Sequence, residues 1–176
     1  MAFGLKHLFG LKEVSKEDIT TILDTALSFR EVLDRPIRIV PSLKGVAVLN
    51  LFYEESTRTR ISFELAEKRL SAEVISFSRG SSSVSKGESL RDTVRNIEAM
   101  KIDLIVTRHQ SPGTPRFLAQ HTNCRIINAG DGAHEHPTQA LLDMMTMRQR
   151  FDTIDGLRVL IVGDIIHSRV DRKSVV

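Results

Sequence analysis

The chain has one cysteine, Cys124, among its 176 residues. A lone thiol makes neither an intrachain disulfide nor a cysteine zinc cluster, which excludes a disulfide-stapled scaffold. Tryptophan is absent, and aromatic residues amount to 5%. With acidic and basic residues interspersed, that scarcity argues against a nucleic-acid surface, which needs stacking rings on a basic stripe. Charge of one sign is hardly in excess: Lys+Arg 25 against Asp+Glu 22 leaves +3, despite a pI near 9.2. No apolar run approaches the roughly 20 residues of a membrane-spanning helix. Residues 1–10 hold one lysine and no long apolar stretch, so no secretory signal is expected. No repeat appears, and Ser81, Ser82, Ser83 and Ser85 form the only biased patch. What is present is enough for a core: hydrophobic residues are 41% and charged residues 27%. A cytoplasmic protein with one domain, or one domain and part of a second, is expected, with no membrane or nucleic-acid partner.

Hydrophobic spacing and turn residues divide the chain into alternating elements. Ser15, with Asp18 three residues on, starts a helix carrying Ile19, Ile22, Leu23, Ala26, Phe29 and Leu33, which Pro36 and Pro41 end. Strands are predicted at 46–52, 73–77, 103–107 and 125–129. Helices are predicted at 58–70 (Ile61, Leu65 and Ala66 inward), 88–100 (Leu90, Val94 and Ile97 on one face) and 115–121. Pro137 suits the first position of a further helix reaching about residue 150. Strand–helix alternation at this spacing predicts an α/β fold, a parallel sheet flanked by helices.

A fifth apolar run, 158–162, reads in two ways. It opens a second α/β domain, or it joins the edge of the first sheet as sequential strands often do. The first reading divides the chain into a domain at 1–135, a linking helix at 136–152 and the start of a truncated second domain at 153–176. Only 13 residues follow Gly163, and they are mostly polar. A buried parallel strand needs a crossover of about a dozen residues and a neighbour.

Three polar stretches stand out. Ser56-Thr57-Arg58-Thr59-Arg60 follows a buried strand and opens a helix. Unpaired backbone N–H groups and the positive end of the helix dipole favour an anion there. A guanidinium adds a two-pronged grip on phosphate oxygens. The plainer reading is a simple helix cap with both arginines solvated. Two residues apart, Arg58 and Arg60 cannot share a helix face, and Arg58 is the one assigned to the anion. The second stretch, residues 128–139, also follows a strand and opens a helix. Ligands of an open parallel sheet collect at the carboxyl ends of its strands. The loops of three strands would therefore bring Arg58, Thr59, Arg108, His136 and Gln139 to one edge. His134 and His136 raise the question of a metal, but neither a helical histidine pair nor a cysteine cluster completes a site. The plainer readings are an exposed loop residue for His134 and a helix cap for His136. The third stretch, residues 81–89, is either a mobile surface loop or an arm presenting Lys86 and a hydroxyl to an anion.

The run Leu51-Phe52-Tyr53-Glu54-Glu55-Ser56-Thr57-Arg58-Thr59-Arg60-Ile61-Ser62-Phe63-Glu64 closely resembles the carbamoyl-phosphate signature of the carbamoyltransferase family. His136-Pro137-Thr138-Gln139, Lys86-Gly87-Glu88-Ser89 and Asn128-Ala129-Gly130-Asp131-Gly132 resemble its aspartate branch; the ornithine branch usually has cysteine where Thr138 stands. The resemblance runs from about Lys6 to Val170. It implies a carbamoyl-phosphate-binding domain and transfer of the carbamoyl group to L-aspartate, a step of pyrimidine synthesis. It assigns the phosphate to Ser56, Thr57, Arg58 and Thr59. The carbonyl oxygen falls to Thr59, Arg108 and His136, and the amide to Gln139. A homotrimer with shared sites is implied, with Ser82 and Lys86 entering the neighbour's site and Arg169 meeting the aspartate carboxylate. A regulatory chain is a further partner the resemblance admits. No cofactor or metal is implied. The residues after Val170 depart from the family pattern, which suggests a shortened chain. A carbamoyl-phosphate-binding piece without catalysis, and a carbamoyltransferase with another acceptor such as ornithine, are the alternatives.

Overall fold

The computed structural model describes residues 4–78 and 90–164. Five helices and four strands alternate: α1 (Lys16–Leu33), β1 (Ala47–Phe52), α2 (Thr57–Arg69), β2 (Glu73–Ser78), α3 (Leu90–Ala99), β3 (Leu104–His109), α4 (Thr114–His121), β4 (Arg125–Asp131) and α5 (Pro137–Phe151). The strands form one sheet in the order β2-β1-β3-β4, every pairing parallel. All carboxyl ends therefore share one edge. The expected α/β class and all four expected strands are present.

The alternation of side chains along each strand builds two apolar layers. Leu49, Leu51 and Ile105 face α3 and α4, where Val94, Ile97 and Leu118 complete a buried cluster with Ile126. Val48, Phe52 and Val106 pack on the opposite face with Ala129 and the half-buried Phe63 of α2. A third cluster joins α1 to α5 through Ile19, Leu23, Leu141 and Met144. At the start of α1, the Asp18 N–H donates to Ser15 Oγ at 3.0 Å. This cap is worth about 1 kcal/mol.

Three expectations need correction. Ile61, Leu65 and Ala66 of α2 do not face inward; Ile61 is 52% exposed and Leu65 44%. The sheet-facing stripe is instead Phe63 and Glu67, and Glu67 is buried. It accepts a 2.7 Å hydrogen bond from Asn50 Nδ2 of β1. A polar pair in the layer turns the helix so that its aliphatic stripe looks away. Phe29 and Leu33 of α1 are likewise exposed, at 37% and 41%. Residues 158–162 form no strand, and Leu160 and Val162 are exposed. Strand geometry persists only where a ladder holds it, and the place beyond β4 is taken. There Leu8 bridges Ile127 in parallel, its N–H donating to Ile126 O at 2.8 Å and its carbonyl accepting from Asn128 N at 2.9 Å. The edge-joining alternative is therefore overturned at β4. The start of the helix predicted at 88–100 lies partly outside the described residues, as do residues 165–176.

Candidate anion-binding edge

Register aligns the site. Phe52, the last residue of β1, pairs with Ser78 of β2 and with Arg108 of β3. Beyond them the backbone continues to interlock: Tyr53 N donates to Arg108 O at 2.9 Å, and Gly132 N to His109 O at 2.8 Å. The loops after β1, β3 and β4 thus leave the sheet side by side.

The first loop ends in α2. Ser56 occupies the N-cap position with extended backbone, yet its side chain makes no cap bond. Its hydroxyl donates instead to Thr59 Oγ1 at 2.9 Å. The plainer reading of Ser56 as a simple cap is therefore not what the side chain does. Thr57 and Arg58 are exposed, and Thr59 is half-buried. Among the described residues Arg58 makes no ion pair, whereas Arg60 Nε lies 3.7 Å from Glu64 Oε1 one turn on. Arg60 is thus engaged within its own helix.

Arg108 and His109 belong to β3 itself, which runs two residues past the predicted end. Between Thr107 and His109 the register with β4 shifts, so that Thr107 faces Asn128 but His109 faces Asp131. Such a bulge re-aims the side chains beside it. Gly130 allows it with φ +123, a conformation open to glycine. Arg108 is 8% exposed. Its Nη1 donates to Ala129 O at 3.0 Å and its Nη2 meets Glu54 Oε1 at 2.5 Å. An arriving anion must therefore share this guanidinium with a carboxylate.

His136 stands at the N-cap of α5, ahead of Pro137, but its side chain makes no cap bond. Its Nδ1 lies 3.4 Å from Thr138 Oγ1. Gln139 is half-buried and donates to Asp143 Oδ1 at 3.0 Å. His134 lies in the loop with its side chain 42% exposed, its Nδ1 3.2 Å from Asp131 Oδ2. Among the described residues no group of three or more His, Cys, Asp or Glu is placed to hold a metal ion. Ser82, Lys86 and Arg169 lie outside the described residues.

Two site residues were not singled out from the sequence. Glu54 had a signal: an acid placed two residues before an anion turn is a ready partner for a nearby arginine. Asp131 had none beyond its place in the 128–139 stretch.

An open parallel sheet with a hydroxyl-rich helix start, a strand-end arginine and a histidine-led helix start at its carboxyl edge defines an α/β domain whose edge carries the donors an anion needs. The particular kind follows from comparison. Residues 6–149 match the family model described as the carbamoyl-P binding domain of aspartate/ornithine carbamoyltransferases, and the chain belongs to this family. It is 57% identical over 175 residues to the aspartate carbamoyltransferase catalytic subunit of Geobacter sulfurreducens, covering 99% of this chain and 56% of that protein. Identity to the Christiangramia forsetii subunit of the same name is 60% over 172 residues, covering 98% and 56%. The chain thus spans about half the length of the curated relatives it matches. An aspartate transcarbamoylase from Trypanosoma cruzi, solved in complex with carbamoyl phosphate and aspartate, superposes with a TM-score of 0.87 at 33% identity. That match covers 94% of this chain and 51% of the other. The catalytic subunit of the M. jannaschii enzyme superposes with a TM-score of 0.83 at 46% identity, covering 94% and 54%.

Proposed function

We propose that this chain supplies the carbamoyl-phosphate half of an aspartate carbamoyltransferase, and that the whole protein transfers the carbamoyl group to L-aspartate. The observation that supports the reading is that β1, β3 and β4 end side by side in one parallel sheet, so that Arg108 and the loops leading to the α2 start and to His136 leave from the same edge. Ser56, Thr57, Arg58 and Thr59 hold the phosphate with hydroxyls, backbone N–H groups and a guanidinium. Thr59, Arg108 and His136 face the carbonyl oxygen, and Gln139 the amide. The aspartate nitrogen forms the new N–C bond to the carbonyl carbon, the C–O bond to phosphate then breaks, and phosphate leaves with the electron pair and takes up the proton the amine gives up. Negative charge grows first on the carbonyl oxygen and then on the phosphate. Fixed cations and donors aimed at those atoms favour the transition state over the ground state. Holding two substrates in register supplies much of the remaining acceleration. His136 acts as a donor to the oxygen. The residue division is 1–135 for carbamoyl phosphate, 136–152 for the link and 153–176 for the start of the aspartate domain, where Arg169 meets the acceptor's carboxylate.

A homotrimer is part of the same reading, with Ser82 and Lys86 completing the neighbour's site. The exposed aliphatic residues Ile37, Ile39 and Leu65, which line one surface cleft, with Ile61 one turn before Leu65 on α2, support assembly, since adjoining apolar surface of this kind is unusual on a monomer.

Calorimetry tests the reading. Carbamoyl phosphate should give binding heat with the chain, and Arg58→Ala should weaken that binding at least about tenfold, the scale of a charge-assisted phosphate contact. Full-strength binding by the Arg58→Ala protein would remove the site assignment, and no heat with the unaltered chain would remove the function.

A further inference from the structure

Asp131 is a carboxylate that the reaction chemistry does not call upon, yet it is 2% exposed at the site edge. Both of its oxygens are occupied. Oδ1 accepts from Glu135 N at 2.9 Å and from Asn128 Nδ2 at 3.0 Å. Oδ2 accepts from Gly113 N at 2.8 Å, with His134 Nδ1 at 3.2 Å. These donors come from three places: the segment after β3, the body of β4, and the residues just before His136. The backbone closes the same ring, because Asp131 N donates to Glu135 O at 3.1 Å and Gly132 N to His109 O at 2.8 Å. Gly132 has no room for a side chain, since a Cβ there would stand 2.5 Å from Gln110 O. A buried anion surrounded by converging donors is a rigid junction. Removing its charge leaves amides without an acceptor.

We propose that Asp131 is a positioning residue: it fixes the His136-bearing loop against the end of β3 that carries Arg108, and so sets the preference for a carbamoyl group over bare phosphate. This rests on the carbamoyl-phosphate reading. In that reading the phosphate is held by the turn at 56–59, which Asp131 does not touch, while the carbonyl end lies between the two segments that Asp131 ties. Loosening the junction therefore acts on one end of the ligand only. A residue that merely kept the domain folded would act on both ends alike.

The test compares the unaltered chain with Asp131→Asn in titrations with carbamoyl phosphate and, separately, inorganic phosphate. Asn keeps the size and one acceptor but presents an NH2 group to donors. The ratio of the two affinities should fall about tenfold, with phosphate binding unchanged. The imidazole Cε1–H signal of His136 should move, while those of His7 and His121, which lie away from the junction, should not. Equal loss for both ligands, or an unmoved His136 signal, overturns the proposal. If the variant does not fold, hydrogen exchange of the unaltered chain decides. The Gly113 and Glu135 amides should both be protected, and fast exchange at either overturns the junction. Failure of the unaltered chain to bind carbamoyl phosphate is a different result. It overturns the carbamoyl-phosphate reading and the selectivity claim together, whereas an unchanged ratio in the variant overturns the role of Asp131 alone.

Discussion

Glu67→Gln should make this protein more stable at neutral pH. Glu67 is 5% exposed and Asn50 is fully buried, the two meeting between α2 and β1 at 2.7 Å. Two further oxygens of the pair, Asn50 Oδ1 and Glu67 Oε1, are buried with no hydrogen-bond partner among the described residues. Both are acceptors while the carboxylate is ionised, so they cannot satisfy each other. Burial raises the Glu67 pKa above its ordinary value; the Asn50 hydrogen bond opposes the shift, and the Glu64 charge adds to it. A glutamine offers an NH2 where one orphaned oxygen stands, which allows a second bond across the pair and removes the buried charge. A net buried hydrogen bond is worth about 1 kcal/mol, and for a chain of this size that raises Tm by about 2–4 °C. The sign with pH follows from linkage. A carboxyl whose folded pKa lies above its unfolded value contributes its full stability below the unfolded value. That contribution is lost as pH rises through the folded value. The unaltered protein should therefore close the gap as pH falls toward 4.5, where Glu67 carries its own proton and can itself donate. Thermal melts followed by circular dichroism between pH 4.5 and 8 read the difference. A glutamine variant less stable than the parent at pH 8, or a gap that does not change with pH, would refute the reasoning.

Two other outcomes concern the scaffold. His7 Nδ1 accepts from Ile126 N at 3.2 Å, and its pKa is lowered by burial and then by the neighbouring Lys6 and Arg125 charges. Protonation removes that acceptor. The stabilising contact is present above the ordinary histidine pKa of 6.5 and lost as pH falls through the lower folded value. Hydrogen exchange at the Ile126 amide, corrected for its intrinsic pH dependence, should therefore accelerate from pH 7 to 5, and His7→Phe should abolish the change. Gly132→Ala should destabilise by roughly 1–3 kcal/mol, because φ is +61 and the new Cβ would meet Gln110 O at 2.5 Å; a urea midpoint equal to the parent's would contradict it.

Elements with an unbroken apolar run or a plain period were legible before any coordinates. β1 is buried from Val48 to Phe52, and the sequence shows it as a short run between polar turns. α2 was legible as a helix but not in its orientation. Spacing alone ranks Ile61 and Leu65 as core and cannot foresee that Asn50, on the sheet, selects Glu67 as its partner. The run 158–162 has strand composition, but a ladder is a property of two segments and no pattern within one reveals it. The pairing of Leu8 with β4 left no signal for the opposite reason, since one bridging residue is too short to show a period. Residue types and strand ends were enough to put Ser56, Arg58, Arg108 and His136 at the carboxyl edge of the sheet. The grip of Glu54 on Arg108 and the fourfold role of Asp131 depend on a register shift that only the folded chain displays.

The short pairing at Leu8 has a consequence for how the molecule behaves in company. A sheet has two margins, and each exposes a row of backbone groups that invites another chain. Here one margin is sealed by a few residues from the far end of the polypeptide, with the Asn128 amide pinning Phe9 O and Arg116 lying over the Phe9 ring. Only the β2 flank is left unzipped among the described residues. Removing residues 1–9 would uncover the second flank, leaving both margins of the sheet open to another chain.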